Sequence, residues 1–170
     1  MTLEQLNTLS MADATTWFTQ TCAAQNWVDG MVNARPFAAQ DSLLKTAQTL
    51  WDSMAEEDYL EAFTAHPMIG DVDSLRAKFA NTKAMASGEQ SGTAVASEQT
   101  LQALSELNHA YLKKNGFIFI ICATGLSAET MLNALKARID NARDQELQIA
   151  AGEQIKITLL RLNKGLAAAE

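Results

Sequence analysis

Between Asp41 and Met54 the apolar residues Leu43, Leu44, Ala47, Leu50, Trp51 and Met54 recur at intervals of three and four. That period predicts an amphipathic helix with a single buried stripe. The same reading extends along most of the chain. Thr2-Leu3-Glu4-Gln5 has capping-box spacing and predicts a short opening helix. A second helix is expected from Ser10 to about Ala24, with Met11, Trp17, Phe18 and Cys22 inward. Trp27, Val28 and Met31 suggest a third, stopped before Pro36. Glu56-Glu57-Asp58 places negative charge where a helix dipole favours it, and Tyr59, Leu60 and Phe63 face inward on a helix that runs out at His66.

Beyond that point, Asp73 to Asn81 supports a short helix anchored by Leu75 and Phe79. Thr93 to Lys114 supports a long one carrying Val95, Leu101, Leu104, Leu107, Asn108 and Tyr111, ended by Gly116. Ser127 is a good N-cap for a helix with Met131, Leu132, Leu135 and Ile139 as its stripe and Arg138 beside it. A last helix is expected from Asp144 to Lys164, with Leu147, Ala151, Ile155, Leu159 and Leu162 inward and Gly165 beyond its end. No repeat or linker divides the sequence. The expectation is an all-α protein of about eight helices in one domain, residues 1–170.

Two stretches break the helical period. Ala86-Ser87-Gly88-Glu89-Gln90-Ser91-Gly92 reads either as a solvent loop or as a site loop. Phe117 to Ala123 is an unbroken apolar run that resembles a buried strand, yet no second strand-like run exists to pair with it. Extended backbone between helices leaves N–H and C=O groups in want of partners, and a ligand would supply them.

Composition narrows the classes. With 170 residues, 48% hydrophobic and 19% charged, the chain is long enough to bury a core. A net charge of −7 argues against nucleic acid and anionic membrane as partners, and an anionic ligand would need a locally placed arginine. The run from Phe117 to Ala123 is too short to span a bilayer. No basic residue precedes Arg35, as a secretory signal would require, and the final residues carry no peroxisomal tripeptide. Two cysteines, Cys22 and Cys122, suit a reducing cytoplasm and offer no disulfide framework.

Candidate chemistry centres on Ala65-His66-Pro67-Met68-Ile69-Gly70-Asp71. A proline disfavours the α region for the residue before it, so His66 stands where a helix stops, on a stiff turn. Histidine is the side chain whose ordinary pKa lies near neutrality. His66 is therefore either a catalytic acid/base or a polar residue at a helix C-terminus. His109 lies on the exposed side of the long helix, and Cys122 reads as a small core residue. There is no HExxH, paired CxxC, GxSxG elbow or phosphate loop, so no metal site is expected.

Five pieces stand in order: Asn33-Ala-Arg-Pro-Phe37, His66-Pro-Met-Ile-Gly-Asp71, Gly88-Glu89-Gln90-Ser91, Leu107-Asn-His-Ala-Tyr111 leading into Gly116-Phe117 and Phe119-Ile-Ile-Cys122, and Leu135-Lys-Ala-Arg138 with Asn141. Together they resemble the ureidoimidazoline decarboxylase (OHCU decarboxylase) family. The similarity covers nearly the whole chain. It implies an all-helical homodimer that needs neither cofactor nor metal. Its substrate would be a small anionic ureide, 2-oxo-4-hydroxy-4-carboxy-5-ureidoimidazoline, converted to (S)-allantoin with loss of carbon dioxide. Outside this reading stand a different cofactor-free lyase or isomerase acting on a related ureide, and a non-catalytic helical adaptor.

Carried over by position, the resemblance makes His66 the catalytic acid/base, with Glu89 and Arg138 as catalytic partners. Pro67, Ala86, Ser87, Gly88, Gln90 and the backbone of Phe119, Ile120, Ile121, Cys122 and Ala123 become substrate contacts. A competing register would use Ser97-Glu98-Gln99; Glu89 is preferred because Ser91-Gly92 follow it and a full helix then separates it from Phe117. A glutamate beside His66 would raise the histidine's pKa. Arg161 also matches a family position, where a structural ion pair is expected. Two departures stand out. Where the family has Lys-Phe-Gly-Phe-Pro-Phe this chain has Lys114-Asn115-Gly116-Phe117-Ile118-Phe119, and Ala86 replaces a frequent serine.

Overall fold

Residues 1–68, 71–77 and 97–167 are described by a computed structural model of the chain. All regular structure among them is helical. Eight helices have defined bounds: α1 (Leu3–Thr8), α2 (Met11–Thr21), α3 (Gln25–Ala34), α4 (Gln40–Asp52), α5 (Glu56–Thr64), α6 (Glu98–Asn115), α7 (Ala128–Arg138) and α8 (Arg143–Ala167). Residues 72–77 are helical as well, with Asp71 capping their start through Ser74 N–H at 2.7 Å. The all-α expectation holds.

Packing groups the chain into two compact units. One comprises Met1–His66 with Ala151–Glu170, the other Pro67–Ala150. In the first, α3 is central and packs against α2, α4 and α5. Trp27, Phe18, Met31, Leu43 and Leu6 are fully buried there, and Phe18 meets Trp27 edge-on with ring centroids 6.1 Å apart. The buried indoles keep partners. Trp27 donates to the Ala47 carbonyl at 3.0 Å, and Trp51 to that of Ala151 at 2.9 Å.

The Asn33-to-Phe37 motif is explained by this unit. Arg35 donates to the carbonyls of Leu6 (2.9 Å), Leu9 (2.8 Å) and Val32 (3.1 Å), so one guanidinium closes off the ends of α1 and α3. Asn7 pairs with both backbone groups of Phe37, at 2.8 and 2.9 Å.

In the second unit α6 packs on α7. Residues 117–123 lie between them without regular structure, and Phe117 and Ile120 are buried. Gly116 ends α6 in the left-handed region at φ 79°, where glycine is favoured. Lys114 donates to the carbonyls of Ile139 (2.5 Å) and Asn141 (2.9 Å), satisfying groups just beyond the end of α7.

Three sequence expectations are corrected. Met11 is 66% exposed, because it begins α2 just after its Ser10 cap and faces away from the core. Ser97 is an extended N-cap accepting from Thr100, so α6 begins at Glu98 instead of running through Ser97 from Thr93. Gly165 lies inside α8, not past its end. A Cβ there would stand 2.9 Å from the Trp17 indole, so the glycine serves close packing where a helix stop was expected.

Candidate active site

His66 follows the last turn of α5, its backbone N–H donating to the Phe63 carbonyl at 3.1 Å. The ring is half-buried. Its Nε2 lies 2.5 Å from Oε1 of Gln154 on α8. Gln154 is 1% exposed and donates from Nε2 to Oγ1 of Thr158 at 3.1 Å, while the Thr158 hydroxyl donates to the Gln154 carbonyl at 3.0 Å. Cys22 is buried as well, and that burial pushes its thiol up to about 11. Cys22 is therefore an unreactive thiol at neutral pH, and the polar chain of His66, Gln154 and Thr158 lies within the first unit.

Burial lowers the His66 pKa from its ordinary 6.5, and the Arg161 charge lowers it further against the opposing Gln154 bond. These surroundings push opposite to the rise expected from a neighbouring glutamate, and Glu89 itself lies outside the described residues. Arg161 is an exposed residue of α8 that donates to the Thr21 carbonyl at 3.4 Å. The ion pair expected for it is not found among the described residues, and its charge bears instead on His66 and Cys22.

The second unit holds Arg138, which is 9% exposed. Its Nε donates to Glu146 at 2.8 Å, one terminal nitrogen to the Ile120 carbonyl at 2.8 Å, and the other weakly to the Tyr111 hydroxyl at 3.5 Å. The guanidinium lies over the Phe119 ring, 4.4 Å from its centroid. Glu146 also accepts from Tyr111 at 2.6 Å and Asn141 at 2.8 Å. Tyr111 meets Phe117 and Phe119 edge-on. Segment 117–123 is thus anchored by one carbonyl and two rings. Among the described residues the backbone N–H groups of residues 118–121 donate no hydrogen bond.

Pro67 is exposed, and Ile121, Cys122 and Ala123 are half-buried. Ala86, Ser87, Gly88, Glu89 and Gln90 lie outside the described residues. The competing Glu98 is occupied: Arg76 donates to its two oxygens at 3.0 and 2.8 Å. Asn115, where the motif departs, is buried and donates to the Tyr111 carbonyl at 3.2 Å. His109 is exposed, as expected. Among the described residues no group of three or more His, Cys, Asp or Glu could hold a metal, and no helix is long and apolar enough to cross a membrane.

A family model described as OHCU decarboxylase matches residues 7–163. The chain belongs to the OHCU decarboxylase family. It is 36% identical to a protein solved as a crystal structure of OHCU decarboxylase in the presence of (S)-allantoin, with TM-score 0.72, covering 90% of this chain and 98% of that one. It is 40% identical over 144 residues to the uric acid degradation bifunctional protein TTL of Arabidopsis thaliana, covering 84% of this chain and 44% of that relative's length. A 2-oxo-4-hydroxy-4-carboxy-5-ureidoimidazoline decarboxylase of Haloferax volcanii is 25% identical, with 95% and 94% covered.

For this OHCU decarboxylase family member, sequence reasoning missed two residues, Gln154 and Glu146. A signal for Gln154 was present. It falls on the buried stripe of α8 with Leu147, Ala151, Thr158 and Leu162, at intervals of four, three, four and four. A polar side chain in such a position needs a polar partner.

Proposed function

We propose that the chain decarboxylates 2-oxo-4-hydroxy-4-carboxy-5-ureidoimidazoline to (S)-allantoin in urate breakdown, with His66 as the acid/base. The observation that carries this reading is the family match across residues 7–163, within which His66 begins the His-Pro-x-Ile-Gly motif. Loss of carbon dioxide needs a place for the electron pair, and the substrate's own C=N bond, conjugated to the leaving centre, can take it. The protein's part is then orientation, charge placement and protonation on one face.

His66 removes the proton of the ring hydroxyl and returns a proton as the enol-like intermediate collapses. Help of this kind is worth about two to four powers of ten. Its lowered pKa supports the base role, since the neutral ring persists to lower pH. Glu89 and Gln90 accept from and donate to the ureido group and ring nitrogens. The amides around Phe119 to Ala123, aimed by the Ile120 anchor, hold ring carbonyls. Arg138 keeps N–H groups beyond those it gives to Glu146, Ile120 and Tyr111, and these bind substrate oxygen. Arg161 adds a second positive charge, which suits an anionic substrate of an acidic protein.

The reading carries a cytoplasmic homodimer with it, checked by sedimentation equilibrium. The reaction is tested by circular dichroism on substrate generated in situ from urate. Wild type should produce the (S)-allantoin signal rapidly, and His66→Ala should leave only the slow racemic background. A wild type no faster than that background overturns the proposal.

A further inference from the structure

Thr158 has a single hydroxyl proton, and it goes to the main-chain carbonyl of Gln154, one turn earlier, at 3.0 Å. Its Oγ1 is left as an acceptor towards Gln154 Nε2 at 3.1 Å. The Gln154 amide therefore points its NH2 into the helix and its oxygen at His66. An amide oxygen can only accept. Nε2 of His66, 2.5 Å away, must carry a proton whether the ring is neutral or charged.

We propose that Gln154 is a positioning residue which, pinned by Thr158, holds His66 as the Nε2–H tautomer and makes Nδ1 the atom that exchanges protons. Among the described residues Nδ1 has no hydrogen-bond partner, which leaves its lone pair for a ligand. The proton count closes on this arrangement. The Nδ1 lone pair takes one proton, the ring becomes an imidazolium with both nitrogens protonated, and Nδ1–H gives the proton back while Nε2–H stays on Gln154.

A buried amide suits this task better than a carboxylate. It orients the ring and selects the tautomer without adding a negative charge that would hold the imidazolium. The charged group among the described residues whose field reaches the ring is Arg161, also on α8, and it acts in the same sense.

The inference rests on the proposed role of His66, but the tautomer is readable without turnover. Long-range 15N–1H correlation spectra of the wild-type protein above pH 6.5 should show Nδ1 of His66 as the unprotonated, pyridine-like nitrogen and Nε2 as the protonated, pyrrole-like one. His109→Asn assigns the signals, since the chain has only two histidines. An Nδ1–H ring, or an averaged pair, overturns the inference, and this measurement stands even if a Gln154 variant folds poorly.

In turnover, Gln154→Met should lower kcat by about tenfold to a hundredfold with little change in KM. Gln154→Glu restores an acceptor and should recover much of kcat, with the acidic limb of its pH profile moved upward. A folded Gln154→Met with wild-type kcat and pH profile overturns the positioning role. If His66→Ala proves silent, the catalytic reading falls and the positioning role with it; a wrong tautomer removes the positioning role alone.

Discussion

Arg138 donates from Nε to Oε1 of Glu146 at 2.8 Å, and the glutamate side chain has no exposure to solvent. A carboxylate so placed must be compensated by direct contacts. Arg138 supplies the charge, and Tyr111 and Asn141 complete the set. The same guanidinium holds the Ile120 carbonyl, so the pair governs the one irregular apolar segment between α6 and α7.

Removing one partner should therefore cost far more than removing both. Arg138→Met leaves the Glu146 charge buried and should destabilise the protein by about 3–5 kcal/mol, while the double variant Arg138→Met/Glu146→Leu should lose much less. Urea unfolding of the two singles and the double closes the cycle. Additive losses would mean that the ion pair carries no coupling.

The depressed His66 pKa makes stability depend on pH. The unfolded chain binds a proton at this residue near 6.5, whereas the folded chain binds it only at lower pH. In that window the unfolded state holds more protons, so stability should fall as pH drops from 6.5 towards the folded value and level off below it. His66→Gln should lack this slope when unfolding free energy is followed against pH.

How much of this could be read from the sequence depends on the kind of signal. The helical period placed the helices because one stripe per helix packs in both units. It misled at Met11, since a residue in the first turn can turn outward without cost to the stripe. It misled at Gly165, where a close approach to Trp17, distant in sequence, outweighs the usual stop value of glycine. His66 was legible because a lone histidine before proline is conspicuous. The burial of Gln154 was legible from its stripe but its partner was not, because that partner is a ring 88 residues away. Arg138 was recognised as an arginine of interest but placed beside the stripe, because its partner Glu146 lies beyond the helix that carries it.

Arg35 should prove structural. It donates to three carbonyls, at the ends of two helices, and is half-buried. Hydrogen bonds from a charged donor are worth about 1.5–3 kcal/mol. Arg35→Gln should lower the unfolding free energy by about that much, and steady-state kinetics of the folded variant should be unchanged. A large kinetic effect without a stability loss would reverse the assignment.

Arg161 separates electrostatics from packing most cleanly, because it is exposed and its field still reaches His66. Its charge helps hold the histidine pKa below 6.5, so Arg161→Gln should move that pKa upward, though not back to 6.5, because burial remains the larger cause. NMR titration of His66 reads this directly. In turnover the acidic limb should rise in pH by the same shift. On the proposed reading KM should increase as well, since the charge that Arg161 offers to the anionic substrate is lost. Arg161→Lys should restore the pKa more fully than the KM, because an ammonium keeps the charge but not the planar fork. A His66 titration unchanged in Arg161→Gln would mean that the field is screened, and a KM unchanged beside a shifted pKa would confine Arg161 to tuning the histidine.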